Sequence, residues 1–384
     1  AGRLPAPGSI AGLTATAPGD VQLAPSGMGA ISLALRLAQG AYQREQGRDG
    51  EKPPAQAVVF GFPYIDTLKL CERPELSPGG STFYRFGNEA DLDALEDLLA
   101  RAADPADETP PVCALFTEFP SNPLLRSPDL HRLKQLLAPH GIPLIVDDTI
   151  ANFANVNLLT GDGDEYAGAD MLVSSLTKLF SGRGDAMGGS LVLNPRSQLY
   201  DRLRFEADVD RVNNMRLEAG PWDGLYGEDA AALYLNSRDF EERSHRINEN
   251  TMALVEHVEE TGHLRELWYP AMSIIDGAVS RGLDPLYAPY VKEGGGAGSL
   301  FSVVFDEDKV CPETFYDNLH YSKGPSLGTN FTLCSPYTIL AHYTELDWAE
   351  ECGVKPNLVR VSVGLEDVDF LKEAWTKALD AGRK

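Results

Sequence analysis

The chain has few cysteines, little positive charge and no long apolar run, and each scarcity closes off a class of protein. Its five cysteines (Cys71, Cys113, Cys311, Cys334 and Cys352) are scattered, odd in number and nowhere spaced as CxxC. That pattern suits neither a disulfide framework nor a zinc motif, so no metal centre is expected. Reduced thiols point to a cytoplasmic compartment. Lys and Arg number 33 against 57 Asp and Glu, a formal charge of −24. Such an excess repels polyanions, and no basic patch interrupts it, so a nucleic-acid partner is disfavoured. No apolar stretch approaches the roughly 20 residues that cross a bilayer, and no membrane partner is expected. The opening run from Ala1 to Pro5 lacks the basic, apolar and small-residue zones of a secretory signal.

What is present suits a large α/β protein. At 384 residues the chain exceeds the usual ceiling for a single hydrophobic core. Short apolar runs recur at Ala57–Phe60, Val112–Phe119, Pro143–Val146, Met171–Ser174 and Ser190–Leu193. Helix-like stripes lie among them: Leu92, Leu95, Leu98 and Leu99, then Leu130, Leu133, Leu136 and Leu137. For the second stripe Ser127 reads as the N-cap, with Pro128 at the first helical position. Strands buried on both faces read as continuous apolar runs, and their alternation with helices predicts a mostly parallel sheet. The character changes near residue 235, where Arg238–Glu259 reads as a long charged helix. A Gly-rich tract, Gly294–Gly298, reads as a mobile loop; two strand-like runs, 299–305 and 358–363, and a final helix, 368–378, complete the chain. The expected division is 1–235 and 236–384.

Five places can carry chemistry. Lys178 ends an apolar run behind Ser175 and Thr177; partial desolvation there lowers the amine's pKa and makes it nucleophilic. Asp147 ends the run Pro143–Val146, and the carboxyl edge of an open α/β sheet is where ligands bind. A buried carboxylate there calls for a cationic partner, although from the residues alone a helix cap reads best and a metal-binding Asp147–Asp148 pair also competes. Ser26-Gly27-Met28-Gly29 leads into a helical stretch, an arrangement that presents backbone amides to an anion. Tyr64 follows a strand, where its ring can lie on an aromatic ligand or pack in the core. Arg360 sits in an alternating strand and can clamp a carboxylate or face water.

In this order the features resemble the Cys/Met-metabolism family of pyridoxal-phosphate enzymes, which includes cystathionine γ-synthases, cystathionine γ-lyases and homoserine sulfhydrylases. The resemblance runs from Ser26 to Asp367 and includes Phe119-Pro-Ser-Asn-Pro-Leu-Leu125, Ser175-Leu-Thr-Lys178, Gly184-Asp-Ala-Met-Gly-Gly189, Pro325-Ser-Leu-Gly328 and the run that begins at Arg360. Phe60–Leu70 and Lys323–Thr332 look most like the fungal synthase branch. The resemblance implies an aminotransferase-like, fold-type-I architecture, with a cofactor-binding large domain over 1–235 and a smaller α/β domain over 236–384. It implies pyridoxal 5'-phosphate held as an imine on Lys178, which also shuttles protons. Asp147 would hold the ring nitrogen, Tyr64 would stack on the ring, and Gly27, Met28, Ser175 and Thr177 would hold the phosphate. Arg360 would bind the substrate α-carboxylate with Asn122 nearby, Ser326 would position Lys178, and Lys69 would face the distal end of the substrate. The implied reaction is γ-replacement on an O-acylhomoserine by cysteine, giving cystathionine, in a homodimer or homotetramer with shared active sites.

Three features depart from the family pattern. Relatives lend a Tyr-x-Arg element to the neighbouring subunit from a segment before the glycine turn; this chain begins too late to show it, and Phe83-Tyr-Arg85 lies in the wrong place to substitute. Pro325 precedes Ser326 where lyases and bacterial synthases often carry glutamate, and Asp148 stands where asparagine is usual. Two further readings stay open: a relative that uses sulfide or a carbon nucleophile, and a non-catalytic homologue that regulates sulfur metabolism.

Overall fold

The computed structural model describes residues 16–44, 53–160, 168–216 and 224–384. The segment 1–15, where a leader was sought, lies outside them. Two seven-stranded sheets organise the chain. The first contains β1 (Val21–Ala24), β2 (Gln56–Phe60), β3 (Ser81–Tyr84), β4 (Val112–Glu118), β5 (Leu144–Asp147), β6 (Met171–Ser175) and β7 (Gly189–Leu193), in the order β1-β7-β6-β5-β4-β2-β3. From β3 across to β6 all neighbours are parallel, whereas β7 runs antiparallel to both β6 and β1. The reversal follows from the connection: the stretch between Ser175 and Gly189 contains no crossover helix, and parallel strands need one.

The apolar runs are continuous because both faces of this sheet are covered. Val59, Phe116, Ile145 and Val173 point to one side, against Ile31, Leu35 and Leu37 of the helix Gly27–Arg44. Val58, Leu115, Leu144, Val146 and Leu172 point to the other, against Leu92, Leu95, Leu98 and Leu99 of Glu89–Ala103 and Leu130, Leu133 and Leu137 of Leu130–Leu137. Both leucine stripes are therefore core, as the spacing predicts. The second of these helices begins later than expected. Its cap is Asp129, whose carboxylate accepts from the Arg132 N–H at 2.8 Å, while the Ser127 hydroxyl is buried without a partner among the described residues. A carboxylate is the better acceptor at a helix start, because it also meets the positive end of the dipole.

The second sheet contains β8 (Leu264–Tyr269), β9 (Met272–Ile275), β10 (Ala278–Arg281), β11 (Leu300–Phe305), β12 (Ser322–Lys323), β13 (Leu333–Pro336) and β14 (Val359–Ser362), in the order β10-β9-β8-β11-β14-β13-β12. On one face Leu254 and Val258 of the helix Phe240–Glu260 and Leu371 and Trp375 of Val368–Gly382 pack against Phe301, Val303, Val359 and Val361. The opposite face meets loops of the first sheet: Leu300, Val304 and Leu358 share a core with Phe62, Leu124 and Ile150. That contact brings β13 and β14 over the carboxyl ends of β4, β5 and β6. The Gly294–Gly298 tract is not the free loop expected. Gly296 N–H donates to Asn155 Oδ1 at 3.1 Å, Gly298 N–H donates to Asn248 Oδ1 at 3.2 Å, and the Gly296 carbonyl accepts from the Tyr287 hydroxyl at 3.0 Å. Small residues there permit close backbone approach rather than motion.

Candidate active site

Where the two sheets meet, a cavity of about 650 Å³ opens at the carboxyl edge of the parallel strands. Lys178, Tyr64, Gly27, Met28, Asp147, Ser175, Thr177, Arg360, Ser326, Asn122 and Lys69 all line it. Residues separated by as much as 333 positions in the sequence, Gly27 and Arg360, thus face one space. Phe83–Arg85 does not line it; Arg85 instead pairs with Glu351 at 3.2 Å.

The amine is held from the second sheet. Lys178 Nζ donates to Ser326 Oγ at 2.9 Å, and burial, followed by the nearby Arg360 charge, pulls its pKa below the ordinary lysine value. A larger fraction of free amine results, which nucleophilic attack on a carbonyl requires. The loop carrying Ser326 approaches so closely that Gly328, at φ +71°, leaves no room for a side chain: a Cβ there would sit 2.7 Å from Leu179 N.

Arg360, in the centre of β14, is 3% exposed. Its guanidinium donates to Asn122 Oδ1 at 2.9 Å and to the carbonyls of Pro325 at 2.5 Å and Ser326 at 3.1 Å, and it lies 4.7 Å from the centre of the Tyr337 ring. These contacts fix the plane of the fork while leaving it without a carboxylate partner among the described residues. A bidentate anion completes such a site.

Two carboxylates form another part of the wall. Asp147 ends β5 and Glu118 ends β4, directly opposite each other in the strand register. Burial raises the Asp147 pKa against the opposing pull of hydrogen bonds from Thr149, whose N–H donates at 2.9 Å. Burial first, then the Asp147 charge, pushes Glu118 up to about 8. Glu118 accepts from the N–H of Tyr64 at 2.5 Å and from that of Asn122 at 3.1 Å, so it ties the two loops together. The residue reading missed Glu118, Thr149, Asp66 and Tyr337, all of which line the cavity. For Glu118 the signal was its place at the end of an apolar run, the same signal that singled out Asp147.

At the other end lies the start of the 18-residue helix Gly27–Arg44. Ser26 Oγ accepts from Gly29 N–H at 3.1 Å, which leaves the amides of Gly27 and Met28 at the free helix end. Gly27 packs against β6 so tightly that a Cβ would fall 2.8 Å from Ser175 Cβ. Ser175 N–H donates to Thr149 Oγ1 at 2.8 Å, and Thr177 Oγ1 accepts from Gly188 N–H at 3.1 Å. Hydroxyls and helix-end amides make this end an anion cradle. Tyr64, 43% exposed, stands at the mouth with its phenol pushed up to about 12 by burial and by neighbouring Asp66.

The donor set fits pyridoxal phosphate. The anion cradle suits the phosphate, the free amine suits the aldehyde, and half-buried Asp147, which has no cation within ion-pairing distance among the described residues, suits a protonated ring nitrogen. A family model described as Cys/Met metabolism PLP-dependent enzyme matches residues 85–380. The chain belongs to this family. Pyridoxal phosphate is the family's cofactor, and the α/β architecture is that of fold-type-I enzymes. A cystathionine gamma-synthase of Neurospora crassa is 41% identical over 360 residues, 94% of this chain and 52% of that protein. A cystathionine gamma-synthase-like enzyme of Amanita muscaria is 40% identical over 377 residues, 95% of this chain and 55% of that one. The chain thus spans about half the length of the curated relatives it matches. In overall fold it is similar to the crystal structure of cystathionine gamma synthase from Xanthomonas oryzae pv. oryzae in complex with cystathionine, with a TM-score of 0.73 at 22% identity over 94% of this chain and 81% of that one.

Proposed function

We propose that the protein catalyses γ-replacement on an O-acylhomoserine with cysteine, giving cystathionine and the free carboxylic acid. The observation that carries this reading is the half-buried amine of Lys178, held by Ser326 in the same cavity as Asp147 and Arg360. When bound, pyridoxal phosphate supplies an electron sink for the electrons released as protons leave the substrate. Arg360 grips the α-carboxylate, and Asn122 keeps the guanidinium in plane. Lys178, whose burial and nearby Arg360 make its amine give up a proton more readily than a free lysine does, takes the α-proton, moves a proton at the β-carbon and returns one after replacement. Asp147 would pair with the ring nitrogen of the bound cofactor and favour its protonated form. At the γ-carbon the C–O bond to the acyl group breaks and a C–S bond forms; the thiol gives up its proton and the carboxylate departs. The Neurospora crassa relative, a cystathionine gamma-synthase 41% identical to this chain, supports this reaction over others in the family.

The organisation we propose is a large domain to about residue 235 followed by a smaller one, in a homodimer or homotetramer with shared sites. Support comes from the drawing of each sheet from one side of that position, and from the apolar Met187 and Leu340, 61% and 51% exposed at the cavity's edge, which a partner surface would cover. A cytoplasmic location is supported by five unpaired thiols; among the described residues no helix is long and apolar enough to cross a membrane.

The deciding experiment begins with colour. Protein loaded with pyridoxal phosphate is expected to be yellow, and borohydride is expected to fix the chromophore to the peptide containing Lys178. O-acetyl- and O-succinylhomoserine are then each supplied with cysteine, sulfide or a β-keto acid, and the products identified. Cystathionine from cysteine supports the reading. A colourless Lys178→Ala protein that still consumes O-acylhomoserine overturns it.

A further inference from the structure

Behind the cavity wall lies a buried titratable ring that the reaction does not use. His342 ends the short helix Tyr337–His342, is 1% exposed and does not itself line the cavity. It packs among three other rings, with centroids 5.8 Å from Tyr337, 5.5 Å from Phe62 and 5.7 Å from Trp348. These are spacings at which edge and tilted aromatic pairs attract. Nδ1 lies 3.0 Å from Glu345 Oε1, so Nδ1 carries the hydrogen and donates it to the carboxylate. Nε2 is buried without a partner among the described residues. One polar bond thus fixes the orientation of the imidazole, and aromatic contact fixes its place.

Two of those neighbours lead to the site. The Arg360 guanidinium lies 4.7 Å from the centre of the Tyr337 ring, close enough for a cation–π attraction. The Tyr337 hydroxyl accepts from Asn122 Nδ2 at 3.4 Å, and Asn122 Oδ1 accepts from the same guanidinium at 2.9 Å. Phe62 follows β2 and stands two residues before Tyr64. Arg360 belongs to the second sheet, whereas Tyr64 follows a strand of the first. His342 therefore touches a ring from each side of the cavity.

We infer that His342 is a positioning residue: it holds Tyr337 against Arg360, at a set spacing from the loop of Phe62 and Tyr64, and so determines how well the cavity grips a carboxylate next to the cofactor. It touches neither ligand. Without its ring, Tyr337 has space to settle away from Arg360, and the guanidinium loses both the flat surface beneath it and the hydroxyl that steadies Asn122. The amine end of a ligand, which meets Lys178 and the cofactor, does not depend on this support. The inference rests on the assignment of Arg360 to the substrate α-carboxylate.

The test uses protein loaded with pyridoxal phosphate and two ligands, glycine, which has an amine and a carboxylate, and methylamine, which has the amine alone. The cofactor's absorption reports the dissociation constant of each. His342→Leu keeps most of the volume and removes the ring; His342→Phe keeps a ring and removes the bond to Glu345. The leucine variant is expected to lower the preference for glycine over methylamine at least about tenfold, with methylamine itself changed by less than about twofold. Phenylalanine should retain most of the preference. Tyr337→Leu should lower it as His342→Leu does, and the double variant no further, because both act through one contact. In the cystathionine assay, His342→Leu should raise the donor KM more than it lowers kcat. Four results overturn the inference: an unchanged preference, an equal loss of both ligands, phenylalanine as damaging as leucine, or losses that add in the double variant. Wild type with no preference for glycine removes the Arg360 assignment, and this support with it. A preference that responds as expected in a protein that makes no cystathionine overturns the γ-replacement reading alone.

Discussion

Glu118 shows how a single side chain sets the geometry of the cavity by tying two of its loops together. Its two oxygens accept from Tyr64 N–H and Asn122 N–H, and Asn122 in turn holds Arg360. Glu118→Ala leaves both donors without an acceptor, a loss of about 1–3 kcal/mol for each that stays buried. Calorimetry is expected to show a lower Tm for Glu118→Ala, and steady-state assays a higher donor KM as Arg360 loses its orienting neighbour. Glu118→Gln keeps one acceptor oxygen and most of the shape, so it should fall between alanine and wild type. An alanine variant as stable as wild type would mean that these two bonds do not anchor the loops. The end of its apolar run marked Glu118 as it marked Asp147, but its role as a tie between loops depends on facing Asp147 across the β4–β5 pairing, which the sequence does not show. Lys178 and Asp147 were legible for a simpler reason: each stands at the end of its own apolar run.

Elements buried on both faces were the readable ones. β2, β4, β5 and β6 came through as unbroken apolar runs because Val58 and Val59, or Leu115 and Phe116, pack against helices on opposite sides. The edge strands did not. β1 and β3 have four residues each and are mostly half-buried, so neither run nor alternation marks them, and the β8–β9–β10 meander ends in a strand that is exposed throughout. The glycine turn was read as an anion cradle on weak local grounds; tertiary contact supplies the reason for its glycine. Gly27→Ala drives a methyl into Ser175 at 2.8 Å and pushes the helix start away from β6. We expect a folded protein with far-UV circular dichroism like wild type and with pyridoxal-phosphate affinity at least about tenfold weaker, equivalent to losing ~1.4 kcal/mol. Spectral titration of the apoprotein measures it, and an unaltered dissociation constant would count against the cradle.

Across the whole molecule, buried acid and surplus negative charge work in the same direction. Asp148 lies beside the site yet outside the cavity wall, 1% exposed, with no cation to pair with it among the described residues. Burial, only partly opposed by the nearby Ser174 hydroxyl, pushes it up to about 8. In the unfolded chain the same group titrates near 3.9. The folded state therefore holds this proton more tightly than the unfolded state, and stability declines as pH rises from about 4 to about 8. The formal charge of −24 adds self-repulsion over the same range as carboxyls ionise. Asp148→Asn keeps the shape and removes the titration. Its gain over wild type should be near zero below about pH 4, already measurable at pH 5, and grow to a few kcal/mol by pH 8, about the scale of a shift this size after relaxation. Thermal unfolding followed at half-unit steps of pH tests this. The Tm difference between variant and wild type should widen steadily towards alkaline pH, and a gap constant with pH would mean that Asp148 is already ionised and paired in the folded protein.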